Sequence, residues 1–305
     1  MDVIAIFGPT AVGKTGVALE LAAMLRERGE DPVAVNCDSI QVYRGLEVLS
    51  GAASSAEQKL LEHRLVSFVD PSEEFSAGAY AKLAQEEIDT LLIDGRRPIV
   101  VGGTGLYLRA ALAELELRPP VPSEVRGEIE ADLEARGAAA LHQELPEELA
   151  SGVHPNDRKR IVRLTELTRL GISPHASTEG LWTEATRRPT RLFGITSDRD
   201  EMRTRIAARV AAMVDAGAEA EVRAAEEAGA ARTARSAIGF EQMLEGDAEA
   251  MESAQRAFAR RQLTWMRRMP GVEAINRTGL ADADVAERIL ASLDAPVPQP
   301  GPPGP

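Results

Sequence analysis

Several things are scarce in this chain, and each scarcity narrows what it can be. Cys37 is the only cysteine, so there is no intrachain disulfide, and a reducing compartment such as the cytoplasm is the natural setting. The four histidines, His63, His142, His154 and His175, stand apart and form none of the short-spaced pairs of a structural zinc site. No apolar run approaches the ~18 residues that a membrane-spanning helix needs. Met1 is followed almost at once by a strand-like run, so no signal peptide is expected and the expected location is cytoplasmic. A basic excess is also missing: the net charge is −13, which argues against a general attraction to nucleic acid. The distribution differs from the sum. Residues 151–209 hold 12 Lys/Arg against 7 Asp/Glu, and residues 254–268 hold five Arg and no acid. Such stretches can bind a polyanion locally or can be solvated helix faces.

The remainder is ordinary globular protein, with 305 residues, 44% hydrophobic and 27% charged. That length suits one large domain or two modest ones. Within it, Gly8-Pro9-Thr10-Ala11-Val12-Gly13-Lys14-Thr15 fits G-x-x-x-x-G-K-[ST] without a gap. The apolar run Val3–Phe7 precedes it as a buried strand. Residues 16–28 follow as an amphipathic helix with Val17, Leu21, Met24 and Leu25 on one face. Strand, glycine loop and helix N-terminus together aim backbone N–H groups at a phosphate chain. In this pattern Lys14 reaches the terminal phosphates and Thr15 offers its hydroxyl to Mg²⁺.

Residues 1–117 read as alternating strands and helices. Further strands are expected at 32–37, 64–69 and 99–101, with a helix from Ala77 to about Leu92 capped by Ser76. This rhythm predicts an α/β fold: a P-loop parallel sheet with helices on both faces. Pro119, Pro120 and Pro122 interrupt it, and residues 118–190 read as an inserted all-helical domain. A return strand at 191–195 brings the chain back to a core completed by 191–292. A helix or helix pair is expected over 200–228, broken near Gly217, and another helix over 248–269. The Pro/Gly-rich tail, 293–305, is expected to be disordered.

A phosphate loop alone does not separate hydrolases, kinases and transferases. Most P-loop hydrolases place an Mg²⁺-binding Asp after an apolar strand, yet the strand at 99–101 ends in Gly102-Gly103-Thr104. The acid here is Asp38, on the loop after the second strand. The carboxyl ends of parallel strands line one crevice, so Asp38 and Thr104 should both face the phosphate loop. Physics of the sequence leaves Asp38 open as metal ligand, general base or helix cap.

Five segments taken in order resemble one family. They are the phosphate loop, Asp38-Ser39-Ile40-Gln41-Val42-Tyr43, Val101-Gly102-Gly103-Thr104-Gly105-Leu106-Tyr107, His154-Pro155-Asn156-Asp157 and Arg261-Gln262-Leu263-Thr264-Trp265. Together they look like the signature of bacterial tRNA dimethylallyltransferases, over residues 1 to about 270. The resemblance implies transfer of a dimethylallyl group from dimethylallyl diphosphate to N6 of the adenine 3′ of the anticodon in tRNA. It implies Mg²⁺ as cofactor and the tRNA anticodon stem-loop as partner, with no membrane and a monomeric enzyme. The loop would then hold a prenyl diphosphate. A backbone cradle distinguishes phosphate chains poorly, so weak ATP occupancy is expected too.

By the same resemblance Asp38 accepts the amine proton and Thr104 contacts substrate near the reacting centre. Arg209, in an R-I-x-x-R pattern with Arg205, is assigned to the diphosphate, and a surface ion-pair row is expected at Arg203. RNA contacts map onto Asp38, Ser39, Ile40 and Gln41, onto Arg126, and onto Lys159, Arg160, Ile161, Val162 and Arg163. They map also onto Ser236, Ala237, Ile238, Gly239, Phe240 and Glu241. Arg256, Arg260 and Arg267 share one helix face and suit phosphates, whereas Trp265, Phe258 and Cys37 read as packing residues. Three departures stand out: Leu49-Ser50-Gly51-Ala52-Ala53 replaces a G-T-A-K-P segment, Glu241 replaces a basic residue, and Met266 replaces an aromatic. The alternatives are prenylation of free adenine nucleotides, a small-metabolite P-loop kinase, and a non-enzymatic nucleotide switch.

Overall fold

The computed structural model describes residues 1–118, 121–173 and 179–295. The chain separates into two compact units, one formed by Met1–Leu115 with the chain from Gly180 onward, the other by Glu116–Glu179.

The first unit is built on a six-stranded parallel sheet in the order β3-β2-β4-β1-β5-β6. The strands are β1 (Val3–Phe7), β2 (Pro32–Asn36), β3 (His63–Arg64), β4 (Arg97–Gly102), β5 (Thr190–Thr196) and β6 (Val272–Asn276). β1 and β2 are buried at every position, as continuous apolar strands covered on both faces must be. The helix Lys14–Glu27 carries the chain from β1 outward to β2, and Ala77–Ile93 carries it back from β3 to β4. Right-handed crossovers in opposite directions put these helices on opposite faces. The Lys14–Glu27 helix packs with Asp282–Asp294, and Ala77–Ile93 packs with Gly105–Leu112.

Several expectations need correction. The strand expected over 64–69 stops after Arg64, because Leu65 (φ 61°) and Ser67 (φ 51°) turn left-handed. The chain then pairs again locally, Phe68 N donating to Val42 O at 2.9 Å. β6 and the helix Asp282–Asp294 were not anticipated, since both lie past the last segment with a clear pattern. The inserted segment ends earlier than 190: Arg109 donates to Gly180 O (2.7 Å) and Ala185 O (3.1 Å), tying 180–190 to the sheet unit. Residues 293 and 294 end a helix, with Asp294 paired to Arg28, and 296–305 lie outside the described residues.

Ser76 does cap Ala77–Ile93, accepting from Ala79 N at 3.1 Å. Gly217 separates the helices Arg199–Asp215 and Ala218–Glu227. In the second unit the helices Ser123–Arg136, Ala138–Glu144 and Arg158–Arg169 close around Ile129, Leu141 and Ile161. Its described residues contain no strand. No helix among the described residues is long and apolar enough to cross a membrane.

Candidate active site

Three neighbouring strands, β2, β4 and β1, end side by side and deliver the three segments of the site. β1 runs into the phosphate loop, β2 into Asp38, and β4 into the turn that carries Thr104.

The loop is shaped by backbone and braced from behind. Gly13 has φ 87°, and a Cβ there would lie 2.1 Å from Arg277 Nη1, so conformation and space both demand glycine. Arg277, just past β6, is buried and donates to Val12 O (2.7 Å), Asp282 Oδ1 (2.7 Å) and Leu280 O (3.0 Å). Lys14 Nζ donates to Gly8 O (3.1 Å) and Pro9 O (3.0 Å). Burial pulls the Lys14 ammonium down to about 8, with Asp38 opposing and Arg209 assisting. Arg209 donates to Ser50 O at 2.9 Å, while its Nε is buried without a partner among the described residues. Burial lowers its pKa too, against the attraction of Asp38. Two partly desolvated cations thus flank one carboxylate, an arrangement that a multivalent anion would relieve. The expected ion-pair row at Arg203 is formed instead by Arg205, which pairs with Glu201 at 2.7 Å.

Asp38 is held from the strand side. Its N–H donates to Asn36 Oδ1 (3.0 Å), and Asn36 Nδ2 donates to Asp38 O (3.1 Å) and Leu65 O (2.9 Å). Tyr80 Oη donates to Asn36 O at 2.8 Å. One carboxylate oxygen, Oδ1, accepts from Ile40 N at 3.0 Å; the other faces Gly103, where a Cβ would lie 3.5 Å from it. Thr104 Oγ1 accepts from Ser39 N at 3.1 Å, and Gln41 donates to Gly51 O at 3.1 Å. Cys37 is fully buried and burial pushes its thiol up, which suits a packing residue and not a nucleophile.

Gln262 was missed as a site residue. From the helix Ala248–Arg268 it accepts from Thr10 N at 2.7 Å and donates to Gly103 O at 2.8 Å. Two signals pointed to it: its place in the Arg261–Trp265 segment, and a polar residue in register with buried Gln255, Ala259 and Met266 on the helix's inner face. Thr10 N–H is therefore spent inside the protein.

The residues assigned to RNA divide by exposure. In the second unit Lys159 and Arg160 are exposed, in the first turn of Arg158–Arg169. Arg163 (3.0 Å) and Arg126 (2.9 Å) instead pair with the buried carboxylate of Glu166. Ile161 belongs to the core with no exposed surface, so its side chain is not offered to a ligand as expected, and the half-buried Val162 packs against that core. In the sheet unit Ser236 and Glu241 are exposed and Ile238 is half-buried. Ala237, Gly239 and Phe240 are buried, and Glu241 pairs with Arg235 at 3.2 Å. Along Ala248–Arg268, Arg260 and Arg267 are exposed while Arg256 pairs with Glu252. Trp265 lies 4.8 Å from Trp182, ring to ring, and Arg268 lies 4.0 Å over the Trp182 ring. Met266, in place of an aromatic, fills the space beside Gly194, where a Cβ would lie 2.6 Å from its sulfur.

A phosphate loop on a parallel sheet, facing a carboxylate and a Gly-Gly-Thr turn but no metal-binding acid after β4, defines a P-loop transferase architecture. The family model for IPP transferase matches residues 41–269, and that for isopentenyl transferase matches residues 1–78. The tRNA dimethylallyltransferase of Thermobifida fusca is 38% identical over 88% of each chain, and that of Streptomyces coelicolor 38% identical over 95% of each. A solved tRNA isopentenylpyrophosphate transferase from Bacillus halodurans superposes with TM-score 0.68 at 30% identity, covering 96% of this chain and 97% of its own. A eukaryotic dimethylallyltransferase solved acting on tRNA superposes with TM-score 0.74 at 24% identity, covering 98% and 81%, and supports the fold. The chain belongs to the IPP transferase family and is an enzyme of that type.

Proposed function

We propose that this enzyme transfers the dimethylallyl group of dimethylallyl diphosphate to N6 of the adenine 3′-adjacent to the anticodon in tRNA, releasing diphosphate. The observation that carries this reading is the convergence of Lys14, Asp38 and Thr104 at three adjacent strand ends, with Arg209 brought into the field of Lys14 and Asp38 by the helix Arg199–Asp215. In the reaction the C1–O bond breaks, its electron pair leaves with diphosphate, and an N6–C1 bond forms. Lys14, Arg209 and the free N–H groups of the loop stabilise the charge that grows on the leaving oxygens. The adenine amine is a weak nucleophile because its lone pair is delocalised into the ring. Asp38, through the oxygen not bound to Ile40 N, accepts the departing N6 proton, an effect worth ~10²–10⁴-fold. Thr104, fixed by Ser39 N–H, contacts substrate near the reacting centre.

The residues fit Mg²⁺ bound the way this ion prefers, through few protein oxygens and mostly phosphate and water. In the phosphate-loop pattern the Thr15 hydroxyl is the protein's contribution. When bound, the ion would neutralise the departing diphosphate.

The tRNA reading rests also on an electrostatic oddity of the second unit. The first turn of Arg158–Arg169 carries three cations and no acid, at the end where the helix dipole disfavours positive charge by ~0.3–1 kcal/mol each. That arrangement makes sense if RNA phosphates sit there. The target base must leave its stack to reach Asp38, at a cost of a few kcal/mol that such contacts offset. A tRNA substrate supports a cytoplasmic location. The test is mass spectrometry of an anticodon stem-loop RNA after incubation with enzyme, Mg²⁺ and dimethylallyl diphosphate. A gain of one five-carbon unit on that adenine is expected. Modification of free AMP but not RNA, or robust ATP hydrolysis, would overturn the reading.

A further inference from the structure

Gln262 makes two hydrogen bonds to backbone groups 252 and 159 residues away in sequence, one on each side of the site. It is only 3% exposed. Its orientation is unambiguous, because Thr10 N–H can only donate and Gly103 C=O can only accept; the amide must present Oε1 to the first and Nε2 to the second. The fit is close. A Cβ at Gly103 would lie 2.3 Å from Gln262 Nε2, so that glycine admits the amide. The next link is covalent: Gly103 precedes Thr104, whose Oγ1 accepts from Ser39 N beside Asp38. A chain of contacts therefore runs from the phosphate loop through Gln262 to the turn beside the carboxylate.

We propose that Gln262 is a positioning residue: its carboxamide sets the spacing between the phosphate loop and the Gly103–Thr104 turn. It thereby aligns the transferred carbon with the attacking amine. The proposal rests on the transferase reading above. Alignment of this kind is sensitive, since a misplacement of about 1 Å can cost ~10²-fold in rate. Only a side chain that accepts at one end and donates at the other can hold both loops. Asn would be one methylene too short, and Met would fill the volume without either bond.

The test uses the full chain with Gln262→Met and Gln262→Glu. For the Met variant the expected result is normal folding by circular dichroism and stem-loop RNA affinity within about twofold of wild type. Affinity for inorganic pyrophosphate by calorimetry, and the single-turnover rate, should each fall about tenfold or more. The Glu variant supplies a readout that a merely structural role would not move. An ionised carboxylate accepts from Thr10 N–H but cannot donate to Gly103 C=O, whereas a protonated carboxyl does both. Burial raises a carboxyl pKa, so the variant's rate relative to wild type should climb about fivefold or more as pH falls from about 8.5 to about 6. Taking the ratio cancels the titration of Lys14, present in both proteins. A Met variant with pyrophosphate affinity and rate within about twofold of wild type would overturn the proposal, as would a pH-independent ratio for the Glu variant. If the Met variant fails to fold, the Glu profile decides alone. A wild-type protein that binds pyrophosphate but prenylates nothing would sink the transferase reading, while the pyrophosphate measurements still decide whether Gln262 shapes the loop.

Discussion

The phosphate loop and the first turn of Arg158–Arg169 both gather positive charge, by opposite means. In the loop the charge is partly buried and fixed: Lys14 is anchored on two carbonyls, Arg209 on a third, and Arg277 braces the backbone from behind. In the helix turn Lys159 and Arg160 are exposed, and Arg160 pairs with the local Asp157 at 3.4 Å. Buried charge in low dielectric acts strongly over a short distance and tolerates little movement, whereas exposed charge acts weakly, is screened by salt and accepts many partners. The first suits a reaction with one geometry. The second suits a grip on a phosphate backbone.

The sharpest break between the two regions is expected from Asp38→Asn. Single-turnover rate should fall by ~10²-fold or more, with RNA and diphosphate affinity nearly intact. A rapid-quench assay that finds near-normal chemistry would remove Asp38 from the proton transfer. Next comes Lys14. Because burial holds its ammonium at about 8 in the free protein, bound diphosphate should raise that pKa again and draw a proton from solution. Diphosphate affinity should therefore weaken as pH rises through about 8. Calorimetry near that pH, in buffers of different ionisation enthalpy, should show proton uptake that vanishes in Lys14→Met. Equal uptake by the variant would assign the proton elsewhere.

Within the second unit the neighbours Arg160 and Arg163 should separate cleanly. Arg163→Ala strips one of two cations from the buried Glu166, so thermal unfolding should show a loss of ~1–3 kcal/mol. Arg160→Ala should leave stability within ~0.5 kcal/mol. The smallest effect is expected in RNA affinity. Neutralising Lys159 or Arg160 should each flatten the log K against log salt slope by about 0.7–0.9, alike for stem-loops of different sequence. Unchanged slopes for both would remove this turn from the RNA contact surface.

The legibility of the protein follows the same division. The phosphate loop, Asp38 and the Gly102–Thr104 turn could be read directly because each is a contiguous segment at the end of an apolar strand. β3 could not, since nothing in its composition announces the left-handed residues Leu65 and Ser67 that cut it short. The RNA assignments blurred in the same way. Contiguity made Ile161 look like part of a surface that includes Lys159 and Arg160, but one step along a helix turns a side chain by about a quarter turn, into the core.

What the sequence determined by itself is local: the glycine loop after the first strand, the acid after the second, and the alternation that builds a parallel sheet. These are encoded in short stretches whose backbone preferences and periodicities act within a few residues. The tertiary structure alone decided which distant groups complete them. It brought Gln262 between Thr10 and Gly103, Arg277 beneath Val12, Arg209 against Ser50, and Arg126 with Arg163 onto Glu166. A buried backbone group or carboxylate must find a partner wherever packing places one. That partner's identity follows from the arrangement of helices and strands in space and leaves no mark on the neighbouring sequence.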